Sequence, residues 1–364
     1  MKPVQRHLPM TNPQNYTSYR VSVDESRRFR AEGFLIVRNL VSAEDIAELR
    51  GHTEELMQGR LPEQHDGTIE APAEALSPTE KAQHFLRIHM LHRKLALHER
   101  YLLHPRVLDV VAALTGPDVL ALQTMLFLKP AGGTGQGWHQ DTYYIPTHPD
   151  SLIGAWIAID DADEFNGGMW MASGSQQEPI YPARVDPYIV MRESLLADIP
   201  HIQGASNPDD SMNDLACVAD RYPQVLATVR SGDVVFFGGH VLHRSKQNIT
   251  SDRFRRAFVS HYCNARSFTQ WGAAMDKKDA HGAPVVDPET RMTNASHILA
   301  RGDTHLPFAQ PRFGTFCAAL IPSEKRRHTL DVASAMMADG DMLEPKPAEP
   351  DIEHDDHPEP AISH

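Results

Sequence analysis

Cysteine is scarce: there are three in 364 residues (Cys217, Cys263 and Cys317), and none falls in a CxxC pair. This excludes a disulfide framework and a cysteine-rich zinc module, and fits a reducing compartment. Basic residues are outnumbered, 35 Lys and Arg against 48 Asp and Glu, for a net charge of −13. Broad binding to nucleic acid or to an anionic membrane needs basic surface, so neither partner is expected. No run reaches the roughly 18 apolar residues of a membrane-spanning helix. The first twenty residues also lack the apolar centre of a signal peptide. The expectation is a cytoplasmic protein acting on a small molecule, with its oligomeric state open.

What is present is a globular composition, 41% hydrophobic, with Gly and Pro at ordinary levels. The charge is uneven. Residues 341–364 carry eight carboxylates against Lys346 alone, which predicts a solvated, disordered acidic tail. The remaining residues, 1–340, read as one catalytic domain.

The first third is helical in pattern. Residues 24–31 form one helix, and Gly33 leads into a strand, Phe34–Val37. Ser42 and Asp45 make a cap for a second helix, with Ile46, Leu49 and Leu56 on its buried side. Ser77, Pro78 and Glu80 open another, expected to run to about Leu97 with His84, His89 and His92 on its surface. Pro105 starts a helix that Gly116 ends, burying Val107, Val110, Val111 and Leu114. After residue 119 the texture changes to short apolar segments separated by Gly, Pro, Asp and Asn. They are VLALQTMLFLKP, LIGAWIAID, GMWMA, VLATVR, DVVFFGG and RAFVSHY. Many short strands with turns between them predict a β sandwich or barrel, here under an N-terminal helical layer. Residues 183–222 interrupt the strands as an inserted lid, and 265–340 form an irregular extension.

The chemistry gathers at Gly137-Trp138-His139-Gln140-Asp141. On a strand, residues two apart share a face, so His139 and Asp141 would present an imidazole and a carboxylate side by side. Such a pair also occurs on ordinary polar strand faces, so a third ligand is needed. The run Ser231–Ser245 offers His240 and His243, which face opposite ways on a regular strand. Two histidines and one carboxylate with open positions form the facial triad of non-haem Fe(II) oxygenases. A turn at Asn248–Asp252 would return Arg255 to the same end, where its guanidinium could take a carboxylate bidentately. Gly132–Gly137 lacks the Lys-Ser/Thr of a phosphate loop and reads as the turn into the metal-bearing strand.

His139-Gln140-Asp141, the run His243-x-Ser245-x-x-Asn248-x-Thr250, and Phe254-Arg255-Arg256-Ala257 resemble the phytanoyl-CoA dioxygenase family. GFLIVRNLVSAEDIAELR and LQTMLFLKP resemble its N-terminal strand and helix and the strand before its first ligands. The likeness spans residues 24–264. It implies a double-stranded β-helix (jelly-roll, cupin-like) core, Fe(II), 2-oxoglutarate as cosubstrate, and O2. By the resemblance, His139, Asp141 and His243 would bind iron, and Arg255 and Ser245 would hold the distal carboxylate of 2-oxoglutarate. Trp156, Met125 and Gln123 would line the same pocket. Retention of Asp141 favours hydroxylation, because related halogenases carry Ala or Gly there. Where the family often reads Pro-Gly-Ser-His, this chain has Ser173-Gly-Ser-Gln176. Arg184, Tyr188, Arg192 and His201 on the inserted segment are candidates to meet substrate. The implied activity is hydroxylation of a small organic molecule, a specialised metabolite or amino-acid derivative, with release of succinate and CO2. Two rivals stand beside it: a metal-binding jelly roll without catalysis, and an iron oxidase that does not use 2-oxoglutarate.

Overall fold

The computed structural model describes residues 17–181, 204–267, 269, 297–304 and 310–311. The acidic tail and the candidates Arg184, Tyr188, Arg192 and His201 lie outside them. Among the described residues, no helix is long and apolar enough to cross a membrane.

Helix α1 (Val23–Glu32) starts at a reciprocal cap between Ser22 and Glu25 and ends at Gly33, whose φ of 83° favours glycine. Strand β1 (Phe34–Val37) follows. Helix α2 (Ala43–Met57) is capped by Ser42, whose hydroxyl accepts from Asp45 N–H. It buries Ile46, Leu49 and Leu56, as its spacing predicts. Beyond the short α3 (Pro62–His65), α4 (Pro78–His84) carries the expected Ser77–Glu80 cap.

The helix predicted to reach Leu97 stops at His84. Residues Arg87–His89 instead form β2, and α5 (Ala96–Leu102) and α6 (Pro105–Thr115) are separate. The cause is tertiary. Leu128 N–H donates to Leu86 O and Met90 N–H to Thr124 O, so a neighbouring strand satisfies this backbone. His89 thus lies on an edge strand, and His92 is buried with its Nδ1 against Thr124 Oγ1. Neither is a surface helix residue.

Eight consecutive strands build the core: β3 (Val119–Lys129), β4 (Gln136–His139), β5 (Ile153–Ala158), β6 (Met169–Ala172), β7 (Gln224–Ala227), β8 (Val234–Gly238), β9 (His243–Ser245) and β10 (Arg255–Asn264). Strands β3, β5, β8 and β10 join one sheet, and β4, β6, β7 and β9 the other, in the order β4-β9-β6-β7. This exchange of consecutive strands between two facing sheets is the jelly roll. The larger sheet runs β1-β8-β5-β10-β3 and continues to β11 (Ile298–Arg301) and β12 (Gln310–Pro311), with β2 also on β3. Part of the expected irregular extension therefore extends the sheet.

Strand period explains why these segments read as continuous apolar runs. On β10, Phe258 and Tyr262 pack under the helical layer, whereas Ala257 and Val259 face the smaller sheet. On β5, Ile153, Ala155 and Ile157 take the helical side, and Trp156 and Ala158 the inner side. Both faces are buried, so the polar alternation of a solvent-exposed sheet is absent except where the inner face turns functional. Within the segment expected to be a lid, residues 204–222 include α8 (Leu215–Ala219). It buries Leu215 and Val218 in a cluster with Trp138, Tyr181 and Leu242.

Candidate metal centre

Strands β4 and β9 pair so that His139 stands directly opposite His243. Each ring is oriented by the carbonyl two residues before it: His139 Nδ1 lies 2.8 Å from Gly137 O, and His243 Nδ1 lies 2.9 Å from Val241 O. A carbonyl only accepts, so each Nδ1 carries a proton, and in the neutral ring this tautomer leaves Nε2 with its lone pair. Both lone pairs are thus fixed as donors toward a metal. Gln136 Nε2 lies 3.1 Å from His139 Nε2, and both residues line the same cavity.

Asp141 is not on the strand, contrary to the sequence reading. Strand β4 ends at His139, and Asp141 opens a single helical turn, α7 (Asp141–Tyr144). Gln140 between them is still extended, with φ −119° and ψ 130°, so the carboxylate keeps the same side as His139. Gln140 is locked there: its Nε2 donates to Pro179 O and His240 O, and its Oε1 accepts from Tyr181 N–H.

Asp141 Oδ1 lies 3.6 Å from His139 Nε2 and 3.7 Å from His243 Nε2. One donor atom from each of the three residues falls within a 4.8 Å set. The group is buried, and burial with the facing His243 lowers the His139 pKa to about 4. Burial alone would raise Asp141, but His243 and His261 outweigh it and hold the carboxyl far below its ordinary range. Two neutral imidazoles and one carboxylate are the donor set that suits a divalent first-row metal such as Fe(II). His240 takes no part. Its Nδ1 meets Glu178 O at 3.0 Å and its Nε2 meets Asp150 Oδ2 at 3.1 Å.

A cavity of about 540 Å³ opens over these three residues and reaches Arg255, Ser245, Trp156, Met125 and Gln123. All five cosubstrate candidates therefore line one space with the metal candidates. Arg255 is buried, and its Nε donates to Gly167 O. Its guanidinium carbon sits 5.7 Å from the Trp156 ring centre and 5.9 Å from that of Phe127. Gln123 is committed elsewhere: its Nε2 donates to His261 Nδ1 at 2.9 Å.

Among the lining residues that escaped the sequence reading are Lys129 and His261. Lys129, register partner of Arg255 in the β10–β3 ladder, donates to Lys246 O at 2.6 Å and to Ser245 Oγ at 3.0 Å. Burial, with Arg255 alongside, lowers its pKa to about 6. Among the described residues, no carboxylate ion-pairs with Lys129 or Arg255. His261 donates from Nε2 to Asp141 Oδ2 at 2.8 Å. A signal existed for both, since 123, 125, 127 and 129 share one face of β3, and 255, 257, 259 and 261 share one face of β10. The Ser173–Gln176 stretch stands away from the cavity, with Gln176 Nε2 bonded to Arg30 O and Ala31 O at the end of α1.

The family model described as phytanoyl-CoA dioxygenase matches residues 29–257. The peroxisomal phytanoyl-CoA dioxygenase of Rattus norvegicus is 27% identical over 254 residues, covering 66% of this chain and 68% of that protein. The ectoine dioxygenase of Nocardia farcinica is 27% identical over 235 residues, covering 63% of this chain and 74% of that protein. The solved structure of the non-heme monooxygenase ThoJ is similar in fold, with a TM-score of 0.52 and 21% identity over 86% of this chain and 95% of that one.

Proposed function

Because the chain belongs to the phytanoyl-CoA dioxygenase family and is an Fe(II)- and 2-oxoglutarate-dependent dioxygenase, we propose that His139, Asp141 and His243 hold its iron. Arg255 and Ser245 anchor the distal carboxylate of 2-oxoglutarate, and Trp156 and Met125 flank it. The observation that carries this reading is the convergence of three donor atoms beside buried Arg255 and Lys129, with which no carboxylate ion-pairs among the described residues. A buried guanidinium without an ion-pair partner is costly, and a dianion would offset it and favour the charged form of Lys129.

Bound Fe(II) supplies the activation of O2 coupled to oxidative decarboxylation of 2-oxoglutarate to succinate and CO2. The chain's own residues do the positioning. Ser245 Oγ already accepts from Lys129 Nζ, and Gln136 N–H lies 3.4 Å away. Its hydroxyl proton is therefore available to a carboxylate. Arg255, steadied by Gly167 O and the Trp156 and Phe127 rings, offers its remaining N–H groups to the same carboxylate. Apolar Met125, Phe127, Trp156 and Val259 exclude water around the reacting end.

The substrate we propose is a small organic molecule, a specialised metabolite or amino-acid derivative, hydroxylated at a C–H bond. Leu86 and Tyr144 are exposed apolar residues at the cavity, beside Arg87, and the ectoine dioxygenase of Nocardia farcinica shares the same 27% identity with this chain as the rat phytanoyl-CoA enzyme. Arg184, Tyr188, Arg192 and His201 remain candidates to meet that substrate from the inserted segment.

The test is succinate release from 2-oxoglutarate by the full chain with Fe(II) and O2, across a panel of small metabolites, with His243→Ala as the control. Substrate-dependent succinate that the control lacks supports the reading. Absence of succinate, together with absence of a 2-oxoglutarate-dependent absorption band on anaerobic Fe(II) loading, rejects it.

A further inference from the structure

Asp141 has two carboxylate oxygens with different surroundings. Oδ1 faces the two histidine Nε2 atoms, and Oδ2 lies 2.8 Å from His261 Nε2. A carboxylate oxygen accepts, so His261 Nε2–H is the donor in this bond. The other ring nitrogen of His261, Nδ1, receives the Gln123 amide N–H at 2.9 Å and is therefore an acceptor. Gln123, His261 and Asp141 thus form one directional chain, Gln123 N–H to Nδ1, then Nε2–H to Oδ2. All three are buried, at 2%, 3% and 9% exposure, so water does not compete for these bonds.

The backbone is shaped for this contact. Strands β10 and β3 pair residue by residue from Arg255 to His261, and the register then shifts between His261 and Tyr262. Such bulges occur beside active sites, where they re-aim a side chain. Here the irregularity falls at the His261–Gln123 pair itself. The Phe237 ring stands perpendicular to the His261 ring, with centroids 6.5 Å apart.

We propose that His261 is a positioning residue of the metal centre: oriented by Gln123, it holds Asp141 Oδ2 and so commits Oδ1 alone to the metal. This assigns Gln123 to the support of a ligand instead of the cosubstrate. It rests on the reading of His139, Asp141 and His243 as metal ligands. Outer partners of this kind typically contribute about 10- to 100-fold to metal affinity.

The experiment is calorimetric titration of the metal-stripped full chain with Mn(II), alongside the melting temperature without metal. His261→Leu is expected to weaken Mn(II) binding by about 10- to 100-fold while the metal-free protein still melts cooperatively. His261→Gln, whose side-chain amide can reach the same oxygen, should recover most of the loss. Gln123→Leu should weaken binding by a smaller factor, and it serves as the test if His261→Leu does not fold. Wild-type Mn(II) affinity in the folded variants, or a folded His261→Gln no better than His261→Leu, overturns the assignment. A wild-type chain that binds no Mn(II) overturns the underlying metal reading instead.

Discussion

His139 and His243 are cross-strand partners, with ring centroids 4.1 Å apart although 104 positions separate them in the chain. Their Nδ1 protons are each spent on a local carbonyl, which leaves two lone pairs converging on Asp141 Oδ1. The same geometry separates His243 from His240, whose ring is occupied by Glu178 O and Asp150. His243→Ala should therefore cost more metal affinity than the roughly 10- to 100-fold typical of an outer partner. His240→Ala should leave Mn(II) affinity near the wild-type value. Calorimetry on both variants checks this, and equal loss in the two would overturn the choice of His243.

Arg255 should report on the cosubstrate and leave the metal unaffected. Hydrogen bonds to charged groups contribute about 1.5–3 kcal/mol each, so Arg255→Ala should raise the KM for 2-oxoglutarate by about 10- to 100-fold. Arg255→Lys should recover only part of this, because an ammonium cannot make the paired planar contact. Mn(II) affinity measured without 2-oxoglutarate should be unchanged in both. An unaltered 2-oxoglutarate requirement in Arg255→Ala would remove the residue from the cosubstrate site.

Lys129 gives the site a pH dependence with a definite sign. Its pKa of about 6 means that the amine is mostly uncharged at neutral pH before cosubstrate binds. A dianion placed against Arg255 favours the ammonium and raises this pKa in the complex. Binding then takes up a proton, so 2-oxoglutarate affinity should fall as pH rises from about 6, by up to about tenfold per unit. Lys129→Met should flatten that profile. Calorimetry at pH 7 in buffers of different ionisation enthalpy reads the proton uptake directly, and a buffer-independent heat would contradict it. In the free protein the lysine pKa lies below its unfolded value. Stability should accordingly rise with pH from about 6 to the ordinary lysine range.

The strands, the capped helix starts and the three metal candidates were legible because each leaves a local trace. Ser42 and Ser77 mark helix starts through their own side chains, and the apolar runs after residue 119 are short and separated by turns. What escaped was set by distant partners. Nothing local in Arg87–His89 announces a strand; it becomes one because β3 offers its edge. Asp141 reads as a strand residue until Gln140 is seen to tie the chain to Pro179, Tyr181 and His240. Lys129 and His261 were hidden differently. Each sits at inward spacing within an apolar run, but their meaning depends on which strand lies beside which. The resemblance supplied roles for the residues carried over from the family, and none was carried over to Lys129, although it lies in the matching segment LQTMLFLKP, or to His261.

The glycines ahead of the metal strand are a packing requirement, and this gives a last test. A Cβ on Gly137 would run into the backbone carbonyl of Asn207, and one on Gly135 into that of Ser245. Gly137 N–H also donates to Ser206 O at 3.0 Å, so strand and segment 206–207 are held in contact. A carbonyl cannot swing aside as a flexible side chain can, so Gly137→Ala must push the strand and this segment apart. The cost expected of such overpacking is about 1–3 kcal/mol. Gly137 O is also the acceptor for His139 Nδ1, so the displacement should reach the metal site. Gly137→Ala should lower the melting temperature and weaken Mn(II) binding together. Gly132→Ala is the contrast: no atom lies within 4 Å of a Cβ there, although its φ of 75° carries backbone strain. That variant should lose some stability while keeping wild-type metal affinity. Equal Mn(II) affinities in Gly137→Ala and wild type would show that the strand and segment 206–207 part without moving His139.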